Sequence, residues 1–224
     1  GTKVGLWIRW HQDGTSQGKG LYENGLRNGE WPEWHPNGQL SLQREYRTGH
    51  IIGVFKEFYP STATKVLGRY SNGQKEGNWF TSHENGRWAK KGGYQQGRKT
   101  GLWEEWYLNG ADKNSVKYVA GNRQGKWTSW YSDGERFEEG FYERDFRDGL
   151  WTEWFPNGRT RTSGLYKLGQ KHGEWVHFYA RGVREFQESF VNGQRSGPAR
   201  AWFENGTDKW LGAYNADIRA GPWI

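Results

Sequence analysis

The sequence predicts an all-β fold: an elongated, single-layer antiparallel meander of tandem β-hairpin repeats, twisted or trough-shaped. Three observations lead there. Glycine returns every 24 residues, at Gly5, Gly29, Gly53, Gly77, Gly101, Gly125, Gly149, Gly173, Gly197 and Gly221, with no interval longer or shorter. Asn-Gly or Asp-Gly pairs such as Asn37-Gly38, Asn109-Gly110, Asp133-Gly134 and Asn157-Gly158 fall between aromatic runs, which is the strongest short-range hairpin signal. No stretch carries apolar residues at helical spacing over ten or more residues. A fixed period of this size marks a repeat array, whose length counts modules. Residues 1–224 are therefore read as one array of nine blocks and a stub. Both ends look cut: the chain has no Met, and Gly1 falls in phase with Gly25.

Numbering each block 1 to 24 from its first glycine exposes the columns. Position 1 is Gly in all ten copies, and position 3 is Trp in eight of ten, Phe55 and Ala199 being the exceptions. Position 6 is mostly Trp, position 7 always Tyr, Phe or His, and position 18 is Tyr except at Phe190. Position 9 is Asn or Asp in seven of nine copies and position 10 is Gly in eight of nine. Positions 2–7 predict one strand and about 13–19 the next. A type I′ turn at positions 9 and 10 would join them, since Gly and Asn tolerate positive φ. The Gly at position 21 turns the chain again. Rings at positions 3 and 18 are expected over the glycines of positions 1 and 16, which leave room for close approach. About 18 strands at ~4.8 Å spacing give a ribbon on the order of 85 Å long.

Composition agrees. Hydrophobic residues make up only 33%, but aromatics reach 17%, with 16 Trp, 12 Tyr and 11 Phe. Disordered chains are poor in aromatics, and rings can supply the buried area that aliphatic residues do not. The absence of Cys excludes disulfides, thiolate metal sites and a Cys nucleophile. The net charge of +7 favours anionic partners.

The run G-x-W-x-x-W-Y-x-N-G followed by G-x-Y-x-N-G-x-K resembles MORN repeats, in the variant common in bacterial proteins. The resemblance covers the whole chain. It implies single-layer hairpin arrays that act as scaffolds, some binding protein partners in a groove and some assigned to anionic phospholipids. The departures are Ser82 at position 6, Thr62 for the turn Gly, Pro198 and Ala199 at positions 2 and 3, and Arg44, Val116 and Glu188 at position 16. They mark local distortion or partner docking. A second, weaker resemblance is to aromatic Gly-rich cell-wall modules that bind choline or glucan.

Catalysis needs a site that does not repeat, and none stands out. His11, His35 and His83 occupy the position-7 ring slot. His50, His172 and His177 sit at three different positions without metal-ligand spacing. No P-loop, G-x-S-x-G or H-E-x-x-H is present. The recurring position-5 carboxylates, Glu33, Glu57, Glu105 and Glu153, are read as strand-face charge. No cofactor and no metal are expected, and the chain is read as no enzyme.

Two columns remain as candidate binding surfaces. Position 6 offers Trp10, Trp34, Trp106, Trp130, Trp154 and Trp202, a row that either lines an exposed aromatic groove or is buried by ribbon curvature. Position 23 offers Lys3, Arg27, Lys75, Lys99, Arg123, Arg147, Lys171, Arg195 and Arg219, with Ile51 the exception. These bases either form an anion-binding edge or stack on aromatic rings, the reading favoured because the base belongs to the repeat. The functional expectation is a non-catalytic scaffold binding a protein or peptide, acidic for preference, along the groove with its basic edge. Anionic phospholipid binding and glycan binding through exposed Trp are the alternatives. Nucleic acid is the least favoured partner because the rings look committed to packing. Edge-to-edge self-association is also open, since array ends leave unpaired strands.

Overall fold

Each hairpin begins with a turn that forces two consecutive residues into the left-handed region. In the computed structural model, which describes residues 1–224, this pair occupies positions 20 and 21: Asn72 and Gly73 have φ of 47° and 77°. Type I′ geometry matches the right-handed twist of the flanking strands. The sequence expectation placed that turn at positions 9 and 10, and the structure corrects it. There only the glycine has positive φ, as at Gly158 (77°). The Asn before it is present for its side chain, since Asn157 Oδ1 accepts the backbone N–H of Arg159 at 3.1 Å. Asn37, Asn85, Asp133 and Asn205 accept in the same way. Phe155 N donates to Arg159 O at 2.8 Å and Gly158 N to Phe155 O at 2.9 Å, closing a wider loop around one left-handed glycine.

The strands therefore start earlier than the columns suggested. A typical pair is Phe146–Trp154, from position 22 of one block to position 6 of the next, and Thr160–Lys167, positions 12 to 19. Position 1 lies inside the long strand and not at its boundary. Gly149 has φ of 69° with nothing within 4 Å of where a Cβ would stand. Gly at position 1 is thus required by backbone conformation, and no ring overlies it.

The chain has twenty antiparallel strands in tandem hairpins and no helix. The count exceeds eighteen because Pro32 splits one long strand into Leu26–Glu30 and Glu33–Trp34, and because the end adds Ile218–Ala220. Two compact units divide it. The first comprises Gly1–Gly110 with Tyr118–Gly121, and the second Ala111–Lys117 with Asn122–Ile224. Within the first, consecutive strands pair from Gly5–Trp10 to Arg98–Trp106. Within the second they pair from Asn122–Trp130 to Ile218–Ala220.

The core is a ladder of rings on one sheet face. Six of the eight position-3 Trp lie over the position-16 Gly of the preceding block. A Cβ added to Gly164 would stand 2.2 Å from Trp175, and one added to Gly140 would stand 2.2 Å from Trp151. Such separations are impossible for real atoms, so glycine is what lets the indole lie flat on the backbone. The indole N–H then donates to the next carbonyl, Trp151 to Phe141 O at 3.2 Å and Trp175 to Leu165 O at 3.0 Å. Position-18 tyrosines stand between the indoles edge-on. Tyr142–Trp151, Trp151–Tyr166 and Tyr166–Trp175 have centroids 5.1, 6.0 and 4.9 Å apart and planes 80–82° apart. Edge-to-face pairs contribute about 0.5–1.5 kcal/mol each beyond area burial.

Candidate functional site

Strand alternation turns position 6 to the face opposite position 3. In the strand Phe146–Trp154, Leu150, Thr152 and Trp154 share one face, and Trp151 and Glu153 the other. Trp151 is 2% exposed, whereas Trp154 is half-buried. Trp34, Trp106, Trp130 and Trp202 are also half-buried, and Trp10 is 60% exposed. The second unit carries an unbroken position-6 row of Trp130, Trp154, Phe178 and Trp202. In the first unit Ser82, which is buried, interrupts it.

Slots open between neighbouring rings because the loop glycine has no side chain to fill them. One of about 360 Å³ is lined by Trp130, Trp154, Gly134, Gly158, Glu135 and Arg136. Another of about 250 Å³ in the first unit is lined by Trp88, Trp106, Arg87, Gly86 and Gly110. Farther along the second-unit row, Trp202, Arg184, Arg200 and Gln187 line a third of about 360 Å³. The guanidinium of Arg136 lies 5.4 Å from the Trp154 ring and that of Arg200 lies 5.1 Å from Trp202.

At position 7, Tyr and His side chains reach the backbone carbonyl of the next residue in the row; Phe155 and Phe203 lack the donor. Tyr131 Oη donates to Trp154 O at 2.8 Å, and Tyr179 Oη to Trp202 O at 3.0 Å. The three histidines of this column place Nε2 at the same carbonyl: His11 at Trp34 O (2.9 Å), His35 at Phe58 O (3.0 Å) and His83 at Trp106 O (3.1 Å). Tyr and His alternate here because each carries a ring that ends in a donor. Asn157 Nδ2 adds a bond to Ala180 O at 2.8 Å, one loop to the next.

The position-23 bases lie on the opposite face, over the ring ladder. Lys75 Nζ is 4.1 Å from the Trp79 centroid and 5.0 Å from that of Tyr94. Arg147 sits 4.1 Å from Trp151 and 5.4 Å from Tyr166. Arg27, Lys99 and Lys171 repeat the pattern, as do Arg123, Arg195 and Arg219 over at least one ring. Burial pushes Lys75 and Lys171 below the usual lysine range, and Lys99 adds to the effect at Lys75. The two candidate columns are thus not brought onto one surface.

Beside the ladder, position-5 carboxylates find basic partners on neighbouring strands. Glu33 meets Arg9 at 2.6 Å and also Arg44, Glu57 meets Lys65 at 2.6 Å, and Glu105 meets Lys90 at 2.5 Å. Glu153 lies opposite Glu138 and Thr162. Glu138, nearly fully buried, has its pKa raised by burial; it accepts from Arg147 at 2.8 Å and from the Trp127 indole at 2.9 Å. His177 stacks on Phe186 with centroids 3.9 Å apart, and burial, with Lys171 and Arg161 adding to it, pushes its pKa down to about 4.

The departures at position 16 prove to be coupled to position 3 of the following block. Arg44 precedes Phe55, and Glu188 precedes Ala199: in two of the three blocks that lose the glycine seat, the next indole is lost with it. Val116 precedes Trp127, whose indole donates to Glu138 in place of a backbone carbonyl. Reading the two columns together would have revealed this in the sequence.

Tandem hairpins with a glycine-seated ring ladder define a class, the β-hairpin repeat scaffolds. The profile of the MORN repeat variant matches residues 27–47 and 123–144. Each match starts on a position-23 base, Arg27 or Arg123, and stops at the type I′ turn, so it spans one structural module. Two stretches of the chain thus match the MORN repeat variant. No match was found among curated proteins. Among solved structures, the chain is similar to part of one described as the crystal structure of TcdB2-TccC3-Cdc42, at 13% identity over 93% of this chain, with a TM-score of 0.21. It is similar to part of another described as the Photorhabdus luminescens Tc holotoxin pore with mutation TccC3-D651A, at 10% identity over 97% of this chain, with a TM-score of 0.24. The chain spans only 13% and 12% of those chains.

Proposed function

We propose that the chain is a non-catalytic repeat scaffold that binds a protein or peptide along the position-6 aromatic row. MORN repeats are generally binding modules without catalysis, which supports this reading. The observation that carries it is the second-unit row of half-buried rings Trp130, Trp154, Phe178 and Trp202, with a slot over Gly134 and Gly158 between the first two. Trp is a favoured hot-spot residue, and rings already held by packing lose little entropy on binding. The position-23 bases, occupied on the other face, contribute long-range positive field that favours an acidic partner. The test is selection of displayed random peptides on the chain, followed by measurement of the selected peptides against Trp154→Ser. That variant copies what Ser82 does at the same position. Loss of binding supports the row as the site; unchanged binding refutes it.

A second reading, contact with anionic lipid, is favoured by one cluster. Phe141, Phe146, Leu150 and Leu165 are exposed on adjacent strands, and Leu168 at a turn tip is 67% exposed, with Arg144 and Lys167 beside them. Co-sedimentation with anionic vesicles, lost in moderate salt and in Phe146→Ser/Leu168→Asn, is the expected result for this reading. Absence of binding at low salt removes it.

A further inference from the structure

The position-6 row has a spacing that selects among extended ligands. One block contributes two strands, so successive rings in the second unit stand ~9.6 Å apart along the row, two inter-strand distances. A polyproline II helix advances ~3.1 Å per residue with three residues per turn, or ~9.3 Å per turn. Every third residue of such a segment would meet a new ring of the row. Across the three intervals from Trp130 to Trp202 the mismatch accumulates to only ~1 Å. Other ligand conformations fit worse. An α-helix brings its seam back every seven residues, ~10.5 Å, and drifts by ~3 Å over the same span. An extended strand returns its face every ~6.7 Å and falls out of step at once.

The chemistry of the row agrees with the spacing. The slot between Trp130 and Trp154 is shallow, flanked by flat indoles and floored by glycine, which suits a rigid pyrrolidine ring. Polyproline II leaves its carbonyls without internal partners. Thr152 and Ser163 share this face with the rings and bond to each other at 3.3 Å, which leaves one hydroxyl to donate to such carbonyls; Gln187 already donates to Glu174 at 2.7 Å and keeps one amide N–H. Arg159 and Arg184 are exposed beside the central rings and have no carboxylate partner, whereas Arg136 is shared with Glu139 at 3.5 Å. Glu135 and Arg136 offset each other at the first slot, so the carboxylates are asked for farther along the row, beside Arg159 and Arg184.

We propose that the Trp130–Trp154–Phe178–Trp202 row is a docking site for an acidic, proline-rich segment in the polyproline II conformation, with proline at every third position. The proposal rests on the reading of the row as a peptide site and adds the conformation and chemistry of the ligand.

Three synthetic peptides of equal length and charge test it by calorimetry and Trp fluorescence. The first carries Pro at every third residue with Glu between. The second has the same composition with the prolines moved out of the three-residue register. The third is an acidic amphipathic helix with a heptad seam. The first peptide is expected to bind at least ten-fold more tightly than the other two, and to lose that advantage against Trp154→Ser. An Arg184→Glu variant, which leaves all rings in place, is expected to weaken it several-fold. Equal binding of the first two peptides, or tighter binding of the helix, overturns the proposal. If displayed peptides selected on the chain need Trp154 while the three-residue peptide does not bind, this inference fails and the peptide-site reading stands. If neither uses the row, both fail.

Discussion

Two tryptophan columns run through the same strands, three residues apart, and they live in different worlds. At position 3, Trp151 lies flat on Gly140, donates its N–H to Phe141 O, and is boxed by Tyr142, Tyr166 and the Arg147 guanidinium. At position 6, Trp154 is half-buried beside an open slot and is held chiefly through its backbone carbonyl by Tyr131. Position 3 yields its indole only where the glycine seat is also gone, at Phe55 and Ala199. Position 6 accepts Phe58, Phe178 and Ser82 with the Gly at position 10 unchanged in two of those three blocks. The same residue type is thus fixed by a glycine seat in one column and replaceable in the other.

The largest effect expected is on the structural column. Trp151→Ala removes an indole packed on all sides and should cost about 3–5 kcal/mol in chemical denaturation, the range for large-to-small changes in a packed core. Trp154→Ser should cost less than half as much. If the two losses were equal, the contrast between the columns would collapse.

Next comes the coupling between seat and ring. Ala199→Trp alone drives an indole against the Glu188 side chain and should destabilise by about 1–3 kcal/mol, as overpacking does. Adding Glu188→Gly rebuilds the seat and should recover most of the loss. A double-mutant cycle reads this directly, and purely additive effects would mean that the two columns are independent.

The third prediction concerns His177, on the ladder face. Its folded pKa of about 4 lies below the ordinary 6.5, so the fold prefers the neutral ring. The stabilisation is fully present above pH 6.5 and is lost as pH falls from there towards 4, where the unfolded chain binds the proton first. Denaturation midpoints should drop over that window, and His177→Thr should flatten the drop. An unchanged slope in the variant would assign it to other groups.

The smallest effect lies in the turns. Leu168 has φ of 50° and is largely exposed, so Leu168→Asn should gain roughly 0.5–1 kcal/mol by relieving left-handed strain without losing burial. A loss of stability there would give the leucine a contact of its own.

The hairpins, the period and the ring ladder were legible in the sequence because each is a local rule repeated in every block. Turn identity was not. Asn157-Gly158 and Asn72-Gly73 look alike as dipeptides, but only the second pair has both φ values positive. The discriminating information is what surrounds them: position 20 also accepts Thr48, Gln96, Ala120 and Leu168, which is what a tight turn imposed by its strands looks like. Position-1 Gly was assigned to close approach, when its cause is backbone conformation. The fate of the position-23 bases was readable as stacking, because a base that repeats with the rings packs with the rings. The position-6 row was named, but the slot between Trp130 and Trp154 is built from two successive blocks, and no single block shows it. The buried Glu138 went unnoticed because position 14 has no preferred residue type.

The division of labour between the two columns is tested most directly by measuring Trp154→Ser in two ways at once, its denaturation midpoint and its affinity for peptides selected on the native chain. The account predicts a midpoint close to that of the native chain, far above that of Trp151→Ala, together with an affinity reduced at least ten-fold. Full affinity in a folded Trp154→Ser, or a midpoint as low as that of Trp151→Ala, would contradict it.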